Sequence, residues 1–317
     1  MGNIFLLYNL NFDFADDFED FSVNGYSFYP IPHKQPQKRT RTPGGYVLKS
    51  PTSHKIRNMN LNARVRIPKK QKDSVFRKGG TYSHHRRIKF LDDLLVLVSI
   101  CIGRNVVPKF YEEFDEFPVC ASKHCERVSK NSKELKEHLE IIISELQKSA
   151  WQQKYDNGYH VKKLYHAGNI YIGEPRFLAD ITIWEYLYYC DHRTQPYEWF
   201  KRISLNTKIN HLIKNYLLDT TSAIPEEQLR IFSDMRNQLS HNGKLPIQNP
   251  KSPFKNLGFI GCNNYWQLFM KLTQALVLKI LGIDIIDKLN VRGHIDELIN
   301  RGSVQTFHEK DNLGMEW

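Results

Sequence analysis

Arg236, Asn237 and His241 are the side chains of this 317-residue chain best suited to chemistry. They lie in the run Arg236-Asn237-Gln238-Leu239-Ser240-His241, followed at once by Asn242-Gly243. An arginine stays charged and grips phosphate oxygens in a fork, and a histidine gives or takes a proton near neutral pH. A cation, an amide and an imidazole at one helix end can break an RNA phosphodiester bond without a metal. The spacing sets a constraint. Arg236 and His241 are separated by about 140° around an ideal helix, whereas Asn237 and His241, at i and i+4, share a face. A regular helix therefore cannot aim both Arg236 and His241 at one phosphate. Either the helix unwinds at Ser240-His241 before Gly243, or two copies meet across a two-fold axis and line one cleft. The plain alternative is an arginine paired with a carboxylate and a histidine capping the last carbonyls.

Other groupings carry less. Cys120, His124 and Cys125, with Cys190 and His192 further on, are not spaced as a tight zinc motif, and a chain with 13 histidines produces such groupings easily. No metal or cofactor is expected. His84-His85-Arg86-Arg87 reads either as a phosphate grip or as a solvated helix start. Tyr155, Tyr159, Tyr165 and Tyr171, with Lys162, Lys163 and His166, read as a base-stacking loop or as a packed connection. Arg77-Lys78-Gly79-Gly80 lacks the spacing of a phosphate loop, and neither a serine nucleophile motif nor paired nuclease carboxylates stand out.

The elements that must position these groups divide the chain. From Ile31 to Lys89 there are seventeen Lys or Arg against one acid, Asp73, while the remainder has 28 bases and 33 acids. A polyanion-facing segment follows, with nucleic acid the first partner and an anionic membrane the second. Arg64, Arg66, Lys69, Lys70, Arg86 and Arg87 are its candidate RNA contacts. Residues 1–83 read as a basic arm or small β-containing subdomain, broken by Pro30, Pro32, Pro36, Pro43 and Pro51, with strands near Tyr46-Val47-Leu48 and Ala63–Ile67. A solvated basic linker is the alternative. Residues 84–300 read as helical, and 301–317 as a tail. Helices are expected over Ile88–Ile102, from Asn131 or Ser132 through Leu146, over Arg176–Cys190, over Tyr197–Leu218, from Pro225 to Asn242, and over Tyr265–Leu281. The fold class is mainly α, a bundle preceded by a basic, partly extended segment. Five scattered cysteines, an amino-terminal stretch with five acids and no base, and a longest apolar run of only Leu94–Ile102 point to a reduced, cytoplasmic setting with no membrane span.

Arg236-Asn237-Gln238-Leu239-Ser240-His241 resembles the Arg-polar-x-x-x-His signature of the HEPN superfamily. The preceding Ile203–Ile213 and the following Gly243-Lys244 look like the ApeA-type HEPN domains of bacterial anti-phage systems. The resemblance covers roughly residues 84 to 282 and is strongest over Ser204 to Lys244. It implies a compact helical bundle that dimerises and acts as a metal-independent endoribonuclease in phage defence or as a toxin. RNA, with tRNA one candidate, would be the substrate, and a regulatory protein or phage-derived trigger a further partner. Arg236 and His241 match the defining positions, Asn237 the polar residue after the arginine, and Glu185 the acid that relatives carry on an earlier helix. Ser240 would support the site. The mechanism implied is transesterification. His241 takes the ribose 2′-hydroxyl proton or protonates the leaving 5′-oxygen, Arg236 stabilises the phosphorane, and Asn237 holds the imidazole or a phosphate oxygen. The products would be a 2′,3′-cyclic phosphate and a 5′-hydroxyl. A catalytically silent HEPN-like module that binds RNA or protein is the rival, and a DNA-binding regulator ranks third.

Overall fold

The structure, a computed structural model, describes residues 4–8, 10, 18–31, 40–42, 45–47, 61–67, 89–103, 106–108, 126–156, 174–218, 224, 226–285 and 289–301. The chain divides into two compact units, Met1–Lys148 and Ser149–Trp317.

In the first unit, β1 (Ile4–Tyr8), β2 (Phe21–Val23), β3 (Tyr26–Pro30), β6 (Leu61–Arg66) and β7 (Val107–Pro108) form an antiparallel sheet in the order β2-β3-β6-β1-β7. A separate pair joins β4 (Thr40–Thr42) to β5 (Gly45–Val47). Asn24 and Gly25 connect β2 to β3 with φ of 49° and 82°, the left-handed pair that a two-residue hairpin turn requires. Along β6 and the residue after it, Ala63, Val65 and Ile67 are buried while Arg64 and Arg66 are exposed, the period-two pattern of a half-covered strand. The helices α1 (Lys89–Ile102) and α2 (Ser132–Leu146) complete this unit. The Asn131 side chain caps α2, its Oδ1 accepting from the Glu134 N–H at 2.8 Å, and Leu135, Leu139, Ile142 and Leu146 form its buried stripe. α2 packs on β2, and α1 on α2. The expected boundary at residues 83 and 84 therefore lies inside a unit. A small open sheet cannot leave its apolar face wet, so it takes α2 as cover, with α1 packed on α2.

The second unit is helical: α3 (Ser149–Lys154), α4 (Glu174–Asp191), α5 (Tyr197–Arg202), α6 (Leu205–Leu212), a π turn (Ile213–Leu217), α7 (Glu226–Asn242), α8 (Phe259–Ile280) and α9 (Val291–Arg301). Its core centres on Phe269 of α8, whose ring lies 4.6 Å from Phe232, 5.2 Å from Trp184 and 5.5 Å from Phe177, centroid to centroid. Side chains of this size each contribute about 1.5–3 kcal/mol when fully buried. Trp184 Nε1 also donates to Thr273 Oγ1 at 2.8 Å, so its polar edge is satisfied. On α4, the buried Arg176 Nε donates to both oxygens of the buried Asp180, at 3.0 and 3.1 Å. Burial pushes the Asp180 carboxyl up to about 6, with Arg176 pulling the other way.

One expected helix is not continuous. The stretch from Tyr197 to Leu218 breaks at Ile203, which is extended (φ −81°, ψ 127°), and restarts at Ser204. Ser204 Oγ accepts from the Thr207 N–H at 3.1 Å. A serine that caps offers the backbone a better partner than continuing the helix would. Among the described residues no helix is long and apolar enough to cross a membrane.

Candidate active site

α7 places the motif. Leu229, Ile231, Phe232, Met235, Gln238 and Leu239 are buried along it, which leaves Arg236 half-exposed and Asn237, Ser240 and His241 exposed. The helix stays regular through Asn242 and ends at Gly243, whose φ of +69° suits a left-handed cap with open space beside it. The buried Gln238 holds the chain that follows: its Nε2 donates to the Lys244 carbonyl at 3.2 Å, and its Oε1 accepts from the Gln248 N–H at 3.1 Å.

Arg236 opens into a pocket of about 550 Å³ between α4, α5, α6 and α7, lined by Glu185, Tyr197, Phe200, Lys201, Lys208 and Asn237 among others. Arg236 Nη1 donates to Asn237 Oδ1 at 3.0 Å, and Nη2 lies 3.9 Å from Glu185 Oε1. Lys208, buried with 4% of its surface exposed, donates from Nζ to Glu185 Oε1 at 3.0 Å and sits 3.9 Å above the Phe200 ring. Lys208 is thus spent on Glu185 and Phe200. Among the described residues Arg236 has one hydrogen bond and one loose ion pair for its five N–H donors, which leaves it the capacity to bind an anion.

Arg236, Asn237 and Glu185 are brought together; His241 and Ser240 are not. Neither of these two lines the pocket. The helix does not unwind at Ser240-His241, so the imidazole remains about 7.5 Å further along the axis and about 140° around from Arg236. His241 makes no hydrogen bond or ion pair with the described residues. Phe259 and Ile260, opening α8, leave 56% and 55% of their surfaces in solvent.

A second polar cluster was not foreseen. The Asp191 carboxylate, only 10% exposed, accepts from His211 Nε2 at 3.0 Å, Lys154 Nζ at 2.7 Å and Tyr216 Oη at 2.6 Å. Burial alone would raise this carboxyl; hydrogen bonds from His211, Lys154 and Tyr216 outweigh it and bring it down to about 2. The His211 ring also packs against His192 (4.7 Å) and edge-on to Tyr188 (5.1 Å). Carboxylate, imidazole, phenol and ammonium are the ingredients of acid–base chemistry, yet each is engaged with the others. The arrangement is a clasp joining α3, α4, α6 and the π turn. Tyr155 belongs to it, 3.4 Å from Tyr216 Oη to Oη, as packing and not as a stacking platform.

Of the expected RNA contacts, Arg64 and Arg66 stand on the exposed sheet face with their guanidinium carbons 5.3 and 5.4 Å from the Tyr29 ring centroid. Lys69, Lys70, Arg86 and Arg87 lie outside the described residues, as do Cys120, His124, Cys125, the remaining loop tyrosines and residues 302–317. Cys190 is a buried free thiol, and burial pushes its pKa up. Among the described residues no three His, Cys, Asp or Glu side chains are placed to hold a metal ion. The pocket residues Tyr197, Phe200, Lys201 and Lys208 were missed; their signal was the Ser204-x-x-Thr207 cap, which splits the helix that would otherwise fill this space. No family model, curated protein or solved structure matches the chain.

Proposed function

We propose that this protein is a metal-independent endoribonuclease of the HEPN type that assembles its catalytic centre between two copies of the chain. The observation that carries this reading is the Arg236 guanidinium, open to a pocket with most of its donors unspent on the described residues, on the same helix as an exposed His241 that has no partner among them. Arg236 would neutralise the charge that develops on the phosphorane, and His241 of the opposite copy would move the proton at the 2′-hydroxyl or the 5′-oxygen. Asn237, bonded to Arg236, would orient the guanidinium. A helix that stays regular cannot supply both groups to one phosphate, so the reading requires the second copy. The apolar Phe259-Ile260 pair is the kind of surface such a contact would cover. The motif resemblance supports a role in anti-phage defence or toxin action, with tRNA among the substrates to try. It also suggests a regulatory protein or phage-derived trigger as partner.

The test is complementation. Arg236→Ala and His241→Ala proteins are each expected to leave total RNA uncut in EDTA. A mixture of the two, allowed to exchange subunits, should recover cleavage, because each mixed dimer holds one intact Arg236–His241 pair. Cleavage by His241→Ala alone at the wild-type rate would end the proposal. A second reading, an RNA-binding module without catalysis, is favoured by one observation: His241 does not line the pocket that holds Arg236. Its signature would be RNA retained on the wild-type protein with no cleavage product in any condition.

A further inference from the structure

The pocket beneath Arg236 has a wall that the cleavage reading does not use. Tyr197 lines it and leaves 64% of its surface in solvent. It opens α5, a helix of six residues, Tyr-Glu-Trp-Phe-Lys-Arg, none of which is buried. An aromatic ring that contributes to no core and faces an open pocket is placed for a planar ligand. The cations point the same way. The Lys201 ammonium sits 4.6 Å from the Tyr197 ring centroid, in an exposed and therefore weak pair with Glu198 at 3.1 Å, and Arg236 faces the same space. Lys208 already covers Phe200 and is neutralised by Glu185, so a phosphate is directed to Arg236 and a flat ring to Tyr197. The volume of about 550 Å³ falls among small-ligand sites.

We infer that this pocket is a single-nucleotide subsite: the base stacks on Tyr197, and its phosphate is held by Arg236 with Lys201 at the rim. The inference deepens the ribonuclease reading by giving each chain its own base-binding pocket, and it rests on taking the pocket as a nucleic-acid site. Stacking does not distinguish strongly among bases, since each presents a π-face. The subsite therefore grips one unpaired nucleotide of a strand without reading a long sequence.

Calorimetric titration of the full chain with the four nucleoside 5′-monophosphates, and with ribose 5-phosphate and inorganic phosphate as base-free probes, tests this. The nucleotides should bind roughly tenfold or more tightly than ribose 5-phosphate. Tyr197→Ala should weaken them by about 5- to 100-fold, the equivalent of one stacked base. Tyr197→Phe should bind like the wild type. An exposed residue outside the core can be removed with little effect on thermal stability, so a lost affinity in Tyr197→Ala reports the contact. Equal affinity for nucleotide and ribose 5-phosphate, unchanged binding by Tyr197→Ala, or no saturable nucleotide binding would overturn the inference. Stacking-dependent binding by a protein that never cuts RNA would sink the ribonuclease reading and leave this one standing. RNA cleavage alongside nucleotide binding indifferent to Tyr197 would do the reverse.

Discussion

Two carboxylates on α4, both turned to α6, have opposite fates. Asp191 is closed in by His211, Lys154 and Tyr216, and three donors hold it ionised far below its ordinary range. Glu185 meets Lys208 closely and Arg236 loosely, through the same oxygen, and borders an open pocket. The Asp191 cluster has the richer list of catalytic side chain types, yet its hydrogen-bonding capacity is consumed internally. The Glu185 pocket has fewer such groups and retains unused donors on Arg236. Residue types alone would rank the Asp191 cluster first; unspent capacity facing solvent ranks the Glu185 pocket first.

The largest effects should separate the two regions in opposite directions. Arg236→Ala is expected to lower RNA cleavage by about 10²- to 10³-fold, the usual cost of one transition-state donor, while the thermal midpoint barely moves. Asp191→Ala is expected to cost roughly 3 kcal/mol, because it takes the shared acceptor away from three part-buried donors. In a unit of this size that is a fall of roughly 6–12 °C, with cleavage per folded molecule retained. Differential scanning calorimetry beside a gel-based RNA assay measures both. If Asp191→Ala stops cleavage while remaining folded, the clasp is part of the active centre and not a purely structural device.

The sequence made the bundle legible where one period dominates a long stretch. Leu135, Leu139, Ile142 and Leu146 mark α2 at helical spacing, and Asn131 caps it as its side chain chemistry suggests. Asn24-Gly25 is an equally strong hairpin signal, although the interleaved acidic and aromatic residues before it read as irregular structure. The break at Ile203-Ser204 was also overlooked. Apolar periodicity continues through it, and a single side-chain cap outweighs that pattern locally. The site was half legible. A linear motif can bring Arg236 and Asn237 together, but which face of α7 meets Glu185, Tyr197 and Lys208 depends on packing between helices far apart in sequence. For the same reason the His211–Asp191 pair, twenty residues apart, had no local signature.

Acidification gives a smaller effect that belongs to the clasp alone. An unfolded Asp191 titrates near 3.8 and the folded one near 2. Its folded pKa is depressed, so its contribution is fully present above about pH 4 and is lost as pH falls through 2. The amount is on the order of 2 kcal/mol. Urea unfolding of wild type and Asp191→Asn between pH 5 and pH 2 should show two stabilities that converge as the pH drops. A gap that stays constant over this range would mean that the Asp191 charge is not what holds the clasp.

The smallest expected effect is the most discriminating. Glu185→Gln keeps an oxygen for Lys208 but removes the counter-charge of a side chain only 6% exposed, so the stability cost should be roughly 1–2 kcal/mol, still below that of Asp191→Ala. The buried Lys208 ammonium would lose its counter-charge but keep the amide oxygen and the Phe200 face. Its positive field would then reach the pocket unopposed, beside an Arg236 released from its 3.9 Å partner. Phosphate-bearing ligands should therefore bind more tightly, with a steeper dependence on salt. Melting curves and salt-dependent RNA binding read the two halves of this expectation. If Glu185→Gln destabilises the fold as deeply as Asp191→Ala and leaves anion affinity unchanged, Glu185 is scaffold like Asp191. Arg236 and the rim Lys201 would then be the charged groups of the pocket that answer to its ligand.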